Sequence, residues 1–242
     1  MNDTAVDDEG IRHLSDAVKL GEIHLHSDLI TDKSLEVLSK LPALTSMLLD
    51  GVPHVTNRGV AILSRCEGIT ELYLKGTAID DKCGESLGKL SQVWSLNLSD
   101  TNITDAILPC LSSMNRLKML TLDNTGVTGI GFVALPSSVR RLYVEGCSVR
   151  DVAAAVVAEN LPALRTLNLN YTLVTDKALE PLSKLADLSN LRLSHTQVTD
   201  AGMQCLAGHA ELMMLYLEGT AVTAECITWL KEQSPNDLIV YS

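Results

Sequence analysis

Residues 164–188 read LRTLNLNYTLVTDKALEPLSKLADL, and residues 188–212 read LSNLRLSHTQVTDAGMQCLAGHAEL. Laid one over the other, Leu164, Leu167, Leu169, Thr172, Val174, Thr175, Asp176, Leu179 and Leu182 meet Leu188, Leu191, Leu193, Thr196, Val198, Thr199, Asp200, Met203 and Leu206, a period of 24 residues. Repetition at this period marks an array in which each copy is one supersecondary unit that cannot bury its apolar side alone. The frame runs back through Leu20, Leu44, Ile69, Val93, Leu117 and Val139 and forward to Leu212, with spacings of 24, 25, 24, 24, 22, 25, 24 and 24. Nine repeats therefore fill residues 20–236. Residues 1–19, with Thr4, Val6, Asp7, Asp8, Ile11, Leu14 and Ala17, form a half repeat able to cap the core, and residues 237–242 form a last strand. The expected organisation is a single solenoid over residues 1–242.

Each copy holds two hydrophobic periods. Leu167 and Leu169 alternate as in a short strand with one buried face; Leu179, Leu182 and Leu185 recur at helical spacing. Between them Thr175-Asp176 is a helix start, with a hydroxyl to cap the first turn and an acid at the positive end of the helix dipole. Strand, turn, helix, turn, stacked copy on copy, buries an aliphatic core between a parallel sheet and a row of helices. The column Thr77, Thr101, Thr125, Thr172, Thr196 and Thr220 follows the strand, where a small hydroxyl satisfies backbone groups of the turn.

These residues resemble a known family. The segments LNLNYTLVTDKALEPLSKLADL and LRLSHTQVTDAGMQCLAGHAEL are similar to the leucine-rich repeat superfamily, in the subtype carrying T-x-V-T-D; that subtype is similar to the cysteine-containing repeats of F-box proteins and to repeat arrays of bacteria and protists. The resemblance covers essentially the whole chain. It implies an α/β fold, a right-handed leucine-rich-repeat solenoid with a parallel concave sheet and convex helices. Its functional implication is loose, because the superfamily hosts binders of unrelated ligands. Two departures stand out. The repeat from Leu117 to Val139 is short and reaches Leu135-Pro136-Ser137-Ser138 where a helix would continue, and the next carries Cys147 in the threonine column and an Ala-rich helix from Asp151 to Ala158. A bend or a change of width is expected there, with harmless drift of repeat length as the alternative. The chain also opens inside a repeat without an F-box-like helical segment, which makes it either a fragment or a small protein capped by its own first residues.

With 19 Lys+Arg against 30 Asp+Glu the net charge is −11, which repels phosphate and so excludes sequence-independent nucleic-acid binding and adhesion to anionic membrane. A protein or peptide of basic character fits better. At 46% hydrophobic residues and 20% charged the chain is expected to fold, and no apolar run approaches the roughly 18 residues of a membrane span. The acidic first ten residues do not read as a secretory signal.

Catalytic signatures are missing: there is no P-loop, G-x-G-x-x-G, G-x-S-x-G or H-E-x-x-H, and Gly126, Gly129 and Gly131 are too irregular to cradle a phosphate. No catalysis and no cofactor are expected. His24 and His26 share the outward face of the first strand, with Glu22 before them and Asp50 about 4.8 Å along the stack; these are zinc-ligand types, but solvated histidines are the commoner outcome and no metal is expected. The six cysteines, Cys66, Cys83, Cys110, Cys147, Cys205 and Cys226, contain no C-x-x-C and read mostly as apolar fillers at the edge of the core, which favours a reducing, cytoplasmic setting. The sequons at Asn2, Asn97, Asn102 and Asn170 point instead to a secreted protein.

The outward strand positions are the most informative. The central column reads His24, Leu48, Tyr73, Asn97, Thr121, Tyr143, Asn168, Arg192, Tyr216 and Val240, and holds three of the five tyrosines. The column after it contains His26, Asp50, Lys75, Asp123, Glu145 and Glu218; the one before it contains Glu22, Glu71, Met119, Arg141 and Met214. Rigid aromatics among acids, with Leu48, Met119 and Met214 exposed nearby, match the composition of protein-recognition surfaces, although tyrosine also favours strands for its own packing. The reading is a non-catalytic protein-interaction module. Tyr73, Tyr143 and Tyr216 are its anchors, Arg192, Leu48, Met119 and Met214 share the binding face, and Asp50, Glu71, Asp123, Glu145 and Glu218 select a basic partner. Two alternatives remain. A substrate receptor of a ubiquitin ligase needs an adaptor-binding helix, and a secreted ligand binder would show glycans or disulfides. The frame itself makes a prediction: Leu169→Ala should cost roughly 2–5 kcal/mol in a denaturant melt, because a thin aliphatic layer cannot close over the void, whereas a loss below about 0.5 kcal/mol would mean a misassigned frame.

Overall fold

The computed structural model describes residues 6–242, so Thr4 of the half repeat and the Asn2 sequon lie outside the described residues. The chain divides into two compact units, one ending at Thr121 and the other running Leu122–Ser242. The first carries α1 Asp8–Arg12, β1 Glu22–His24, α2 Asp32–Leu38, β2 Ser46–Leu48, α3 Asn57–Leu63 and β3 Glu71–Tyr73. A 3-10 turn Asp81–Cys83 leads into α4 Gly84–Gly88, followed by β4 Ser95–Asn97, a 3-10 helix Asp105–Ser113 and β5 Met119–Thr121. The second holds a 3-10 helix Ile130–Ala134, β6 Arg141–Tyr143, α5 Asp151–Asn160 and β7 Thr166–Asn168. It continues through a 3-10 turn Asp176–Ala178, α6 Leu179–Leu182, β8 Asn190–Arg192, α7 Asp200–Met203, β9 Met214–Tyr216, α8 Ala224–Gln233 and β10 Ile239–Tyr241. Each unit is an α/β solenoid of strand–turn–helix layers, as the repeat predicts.

In both units the strands pair in parallel and in register. His24, Leu48, Tyr73, Asn97 and Thr121 align across β1 to β5, and Tyr143, Asn168, Arg192, Tyr216 and Tyr241 across β6 to β10. The last strand corrects the expected column: Tyr241, not Val240, stands beside Tyr216. Ile239 pairs with Met214, one residue later than the 24-residue frame places it, and the extra residue turns the opposite set of side chains outward. Inward-facing Leu72, Leu96, Leu120, Leu142, Leu191 and Leu215 are fully buried, and Leu169 is 3% exposed.

A second correction concerns the helical side, which is part α and part 3-10. In Asp105–Ser113, Pro109 withholds a backbone N–H from the α ladder. In the short repeat the chain completes only Ile130–Ala134 before Leu135 turns extended at Pro136, and Gly129, at φ 91°, starts it where a residue with Cβ would meet Ala153 of α5.

What joins layer to layer is the Thr-Asp pair, in a role the sequence did not announce. Thr175 caps its own helix by accepting the N–H of Lys177, as expected. Asp176, beyond its place at the helix start, reaches forward to the next repeat. Its Oδ1 accepts the Thr199 N–H at 2.7 Å and its Oδ2 the Thr199 hydroxyl at 2.8 Å. The same two-pronged contact joins Asp8 to Thr31, Asp32 to Thr56 and Asp81 to Thr104 in the first unit, and Asp151 to Thr175 and Asp200 to Thr223 in the second. Where Asn57 replaces the acid, the next cap is Asp80, and the amide serves both ends: its Nδ2 donates to Asp80 Oδ1 and its Oδ1 accepts the Asp80 N–H. The threonine column behaves as predicted: Thr77, Thr101, Thr125, Thr172, Thr196 and Thr220 each donate to the carbonyl three residues back. Cys147 instead donates to the Leu122 carbonyl of the layer before at 3.1 Å.

These bonds carry a pH signature. Burial alone would raise the Asp8 carboxyl, but hydrogen bonds from Ser34 and Thr31 outweigh it and hold it below 3.8. The Thr223 N–H and hydroxyl likewise hold Asp200 below its ordinary value against a smaller opposing effect of burial. A carboxyl lowered by folding contributes stability above its unfolded value and loses it as the pH falls through the folded value. The denaturation midpoint should therefore drop on acidification through 3.8 and below, and the drop should shrink in Asp8→Asn/Asp200→Asn. An identical acid profile for the double variant would contradict the assignment.

Candidate functional site

The positions predicted to bind lie on the exposed strand face of each unit. In the first unit, Tyr73 and Leu48 are half-buried neighbours in the central column, and the Tyr73 hydroxyl accepts the Ser95 hydroxyl at 3.1 Å. Glu71 and Met119 are half-buried beside them. Lys75 pairs with Asp100 at 3.4 Å. Burial pushes the Asp50 carboxyl above its ordinary value against the opposing pull of Lys75, His24 and His26.

The proposed zinc-ligand types are not brought to one point. His24 Nε2 lies 2.6 Å from Glu22 Oε1, while His26 Nδ1 lies 2.7 Å from the Asp50 backbone oxygen, with the ring over Gly51. Among the described residues no group of three or more His, Cys, Asp or Glu is placed to hold a metal.

In the second unit two of the predicted acids are already engaged. Asp123 accepts the Glu145 N–H at 2.7 Å, and Glu145 accepts Asn168 Nδ2 at 3.0 Å and Asn170 Nδ2 at 3.4 Å. Asn170 also accepts the Ser194 N–H at 2.8 Å, so both ends of this sequon asparagine are occupied by the fold. Glu218 is exposed. Further along the column, Arg192 lies over the Tyr216 ring at 4.7 Å, and Tyr216 stacks on Tyr241 at 4.4 Å and 11°. Register stacking of this kind holds large flat side chains rigid with their edges to solvent.

A second ladder went unseen in the sequence. After β2 to β9 the residue three places beyond the strand has positive φ; it is Gly51, Gly76, Asp100, Asn124, Gly146 or Gly219 in most layers, as the left-handed region favours, and Gly51, Gly76, Asn124 and Gly146 donate their N–H to the next layer. Tyr171 and His195 take the same conformation at φ 55° and 58°, at a cost of order 1 kcal/mol each. Their rings stack at 4.3 Å and 13°, and Tyr171 is 55% exposed. Only the composition of that column, two aromatics among Gly, Asn and Asp, signalled them.

The helical side differs. A cleft of about 430 Å³ lies between α2 and α3, lined by Glu36, Lys40, Arg58 and Arg65, away from every predicted site residue. The thiols of Cys83 and Cys147 are buried, Cys66, Cys110 and Cys226 are half-buried, and Cys205, against the packing expectation, is exposed. Burial, with Asp80 and Asp81 beside it, pushes the Cys83 thiol up to about 12 and out of reach of nucleophilic chemistry.

Comparison with known proteins agrees with this geometry. Residues 186–207 match the family model described as leucine-rich repeat. An internalin (inlF) from Listeria monocytogenes superposes with a TM-score of 0.51 at 17% identity, over 96% of this chain and 82% of that one. The fold is that of a leucine-rich repeat. The match over residues 186–207 supports the leucine-rich repeat superfamily, the internalin likeness shows the fold alone, and neither resolves the subtype. Among the described residues no helix is long and apolar enough to cross a membrane.

If Tyr241 belongs to the ladder, Tyr241→Ala should leave Tyr216 more mobile and lower the melting temperature slightly, by the equivalent of about 0.5–1.5 kcal/mol. Val240→Ala, facing inward, should cost more. The reverse order would restore Val240 to the outward column.

Proposed function

We propose that this leucine-rich repeat protein is a non-catalytic interaction module that binds a partner protein or peptide on its strand faces. The observation that carries this reading is the Arg192–Tyr216–Tyr241 stack: an arginine and two tyrosines, the side chains most enriched at binding hot spots, held rigid in solvent with little entropy left to lose. Tyr73 and Tyr143 add half-buried anchors with the same outward placement. The strained Tyr171–His195 pair supports it too, since the fold bears a backbone cost there for side chains that fill no core. The acids of the first unit, Glu71 foremost, favour basic partner segments there, while Asp123 and Glu145 serve more to order the surface than to steer. Packed, high-pKa thiols at Cys66, Cys83 and Cys147 suit a reducing, intracellular setting.

Affinity purification followed by mass spectrometry tests the reading by comparing the intact chain with Tyr73→Ala, Tyr143→Ala and Tyr216→Ala. Each variant should lose about 1 kcal/mol of stability or less, since it opens no cavity, while a partner anchored there should lose about 2 kcal/mol or more of binding. Lys177→Ala and Lys184→Ala on the helical side should leave affinity unchanged. If those controls abolish binding and the tyrosine variants do not, the helical face is the functional one.

A further inference from the structure

The strand face of the second unit contains donors that lack a proper acceptor, and they gather around one sulfur. Asn190 Nδ2 donates to Met214 Sδ at 3.5 Å, and the Tyr216 hydroxyl points to the same sulfur at 3.9 Å. A thioether is among the weakest acceptors a protein offers. Arg192, two residues from Asn190 on β8, stacks on that same Tyr216, takes part in none of the ion pairs among the described residues, and keeps its Nε buried without a partner. An amide and a phenol therefore converge on a sulfur rather than on an oxygen acceptor, and a guanidinium lies over the ring of that same phenol. Asn190 Oδ1 is orphaned in the same place. Each buried polar group left this way costs free energy that a ligand able to satisfy it returns as affinity.

We infer that this cluster is a binding site for the carboxylate of an Asp or Glu side chain in an extended peptide segment of the partner. A carboxylate has the acceptor capacity the three donors lack, and an arginine without a counter-ion is its natural complement. The orphaned Asn190 Oδ1 calls for a donor beside it. A main-chain N–H next to the acidic side chain supplies one only in a segment whose backbone is not already paired in secondary structure. Electrostatics admit the acid from one side. Arg141 and Arg165 are exposed on the edge of the face where Asn190 and Met214 sit, with Asp187 and Glu211 further back in the turns, whereas Glu145 and Glu218 lie on the far side. Met214, unbranched and half-buried, is the gate: it fills the acceptor position when the site is empty and swings aside for the ligand. The site rests on the strand face being a binding surface, but it reverses the partner's charge here: the second unit takes an acid where the first favours a base.

The test uses a phage-displayed library of random linear dodecamers panned on the full chain, with the selected peptides resynthesised as C-terminal amides. The expected winners share an Asp or Glu whose change to Asn or Gln weakens binding by about tenfold or more. Arg192→Ala should weaken the acidic peptide as much while leaving its amide version unchanged, Asn190→Ala should weaken both, and Met214→Ala should not weaken either. Thermal melts confirm that each variant is folded. The inference is overturned if no peptide is enriched, if acid-free peptides win, if only peptides with a free C-terminal carboxylate bind, or if Arg192→Ala and Asn190→Ala are both silent. Should Tyr143→Ala still abolish binding in that last case, the strand face stands and only the carboxylate site falls; should binding instead respond to Lys177→Ala and Lys184→Ala alone, both fail.

Discussion

The contact on which the rest depends is the forked hydrogen bond from each cap threonine, through its N–H and its hydroxyl, to the aspartate of the layer before. One residue type does two jobs in this arrangement. The threonine hydroxyl accepts from its own helix and donates backwards, so helix start and layer spacing are set by the same atom. Isolated parallel bridges run along the same line, at Thr31 to His54, Thr56 to Ala78 and Thr175 to Gln197, making a second ladder beside the strands. Layers pinned along two lines cannot slip or twist freely against each other. That is why the outward columns stay in register within each unit.

Registered columns turn sequence into surface. Identical positions in successive layers lie one strand apart, so any flat side chains placed there must stack, and Arg192, Tyr216 and Tyr241 do. The same geometry imposes a turn with positive φ after β2 to β9, where glycine, asparagine and aspartate are easy and Tyr171 and His195 are not. A repeat fold thus builds rigid recognition elements from three-residue strands. The first unit gives its tyrosine acidic company; the second gives its pair arginines and a methionine sulfur where an oxygen is wanted.

The architecture was legible because it rests on periodicity, which is local and repeated: Leu167 and Leu169 mark a strand wherever their counterparts occur. What escaped was non-local or aperiodic. The reach of Asp176 to Thr199 crosses 23 residues, and nothing in a Thr-Asp pair says that the acid serves the next layer rather than its own helix alone. The 24-residue frame puts Val240 where Tyr241 stands because the last strand begins one residue late, and a single added residue reverses which side of it faces out. The 3-10 stretches were hidden because the apolar spacing of Ile107, Leu108 and Leu111 suits either helix, and Pro109 decides. Tyr73, Tyr143 and Tyr216 could be placed on a face from sequence, but the engagement of Glu145 with Asn168 and the convergence on Met214 required side-chain positions.

A double-mutant cycle on Asp151 and Thr175 tests the account most directly. Asp151→Ala, Thr175→Val and the pair of changes together are compared with the parent chain in denaturant melts. The two prongs, at 2.7 and 2.8 Å, predict a coupling of about 1 kcal/mol or more, with the double variant far less destabilised than the sum of the singles. Additive effects, with coupling near zero, would contradict the claim that the aspartate–threonine fork holds one layer to the next.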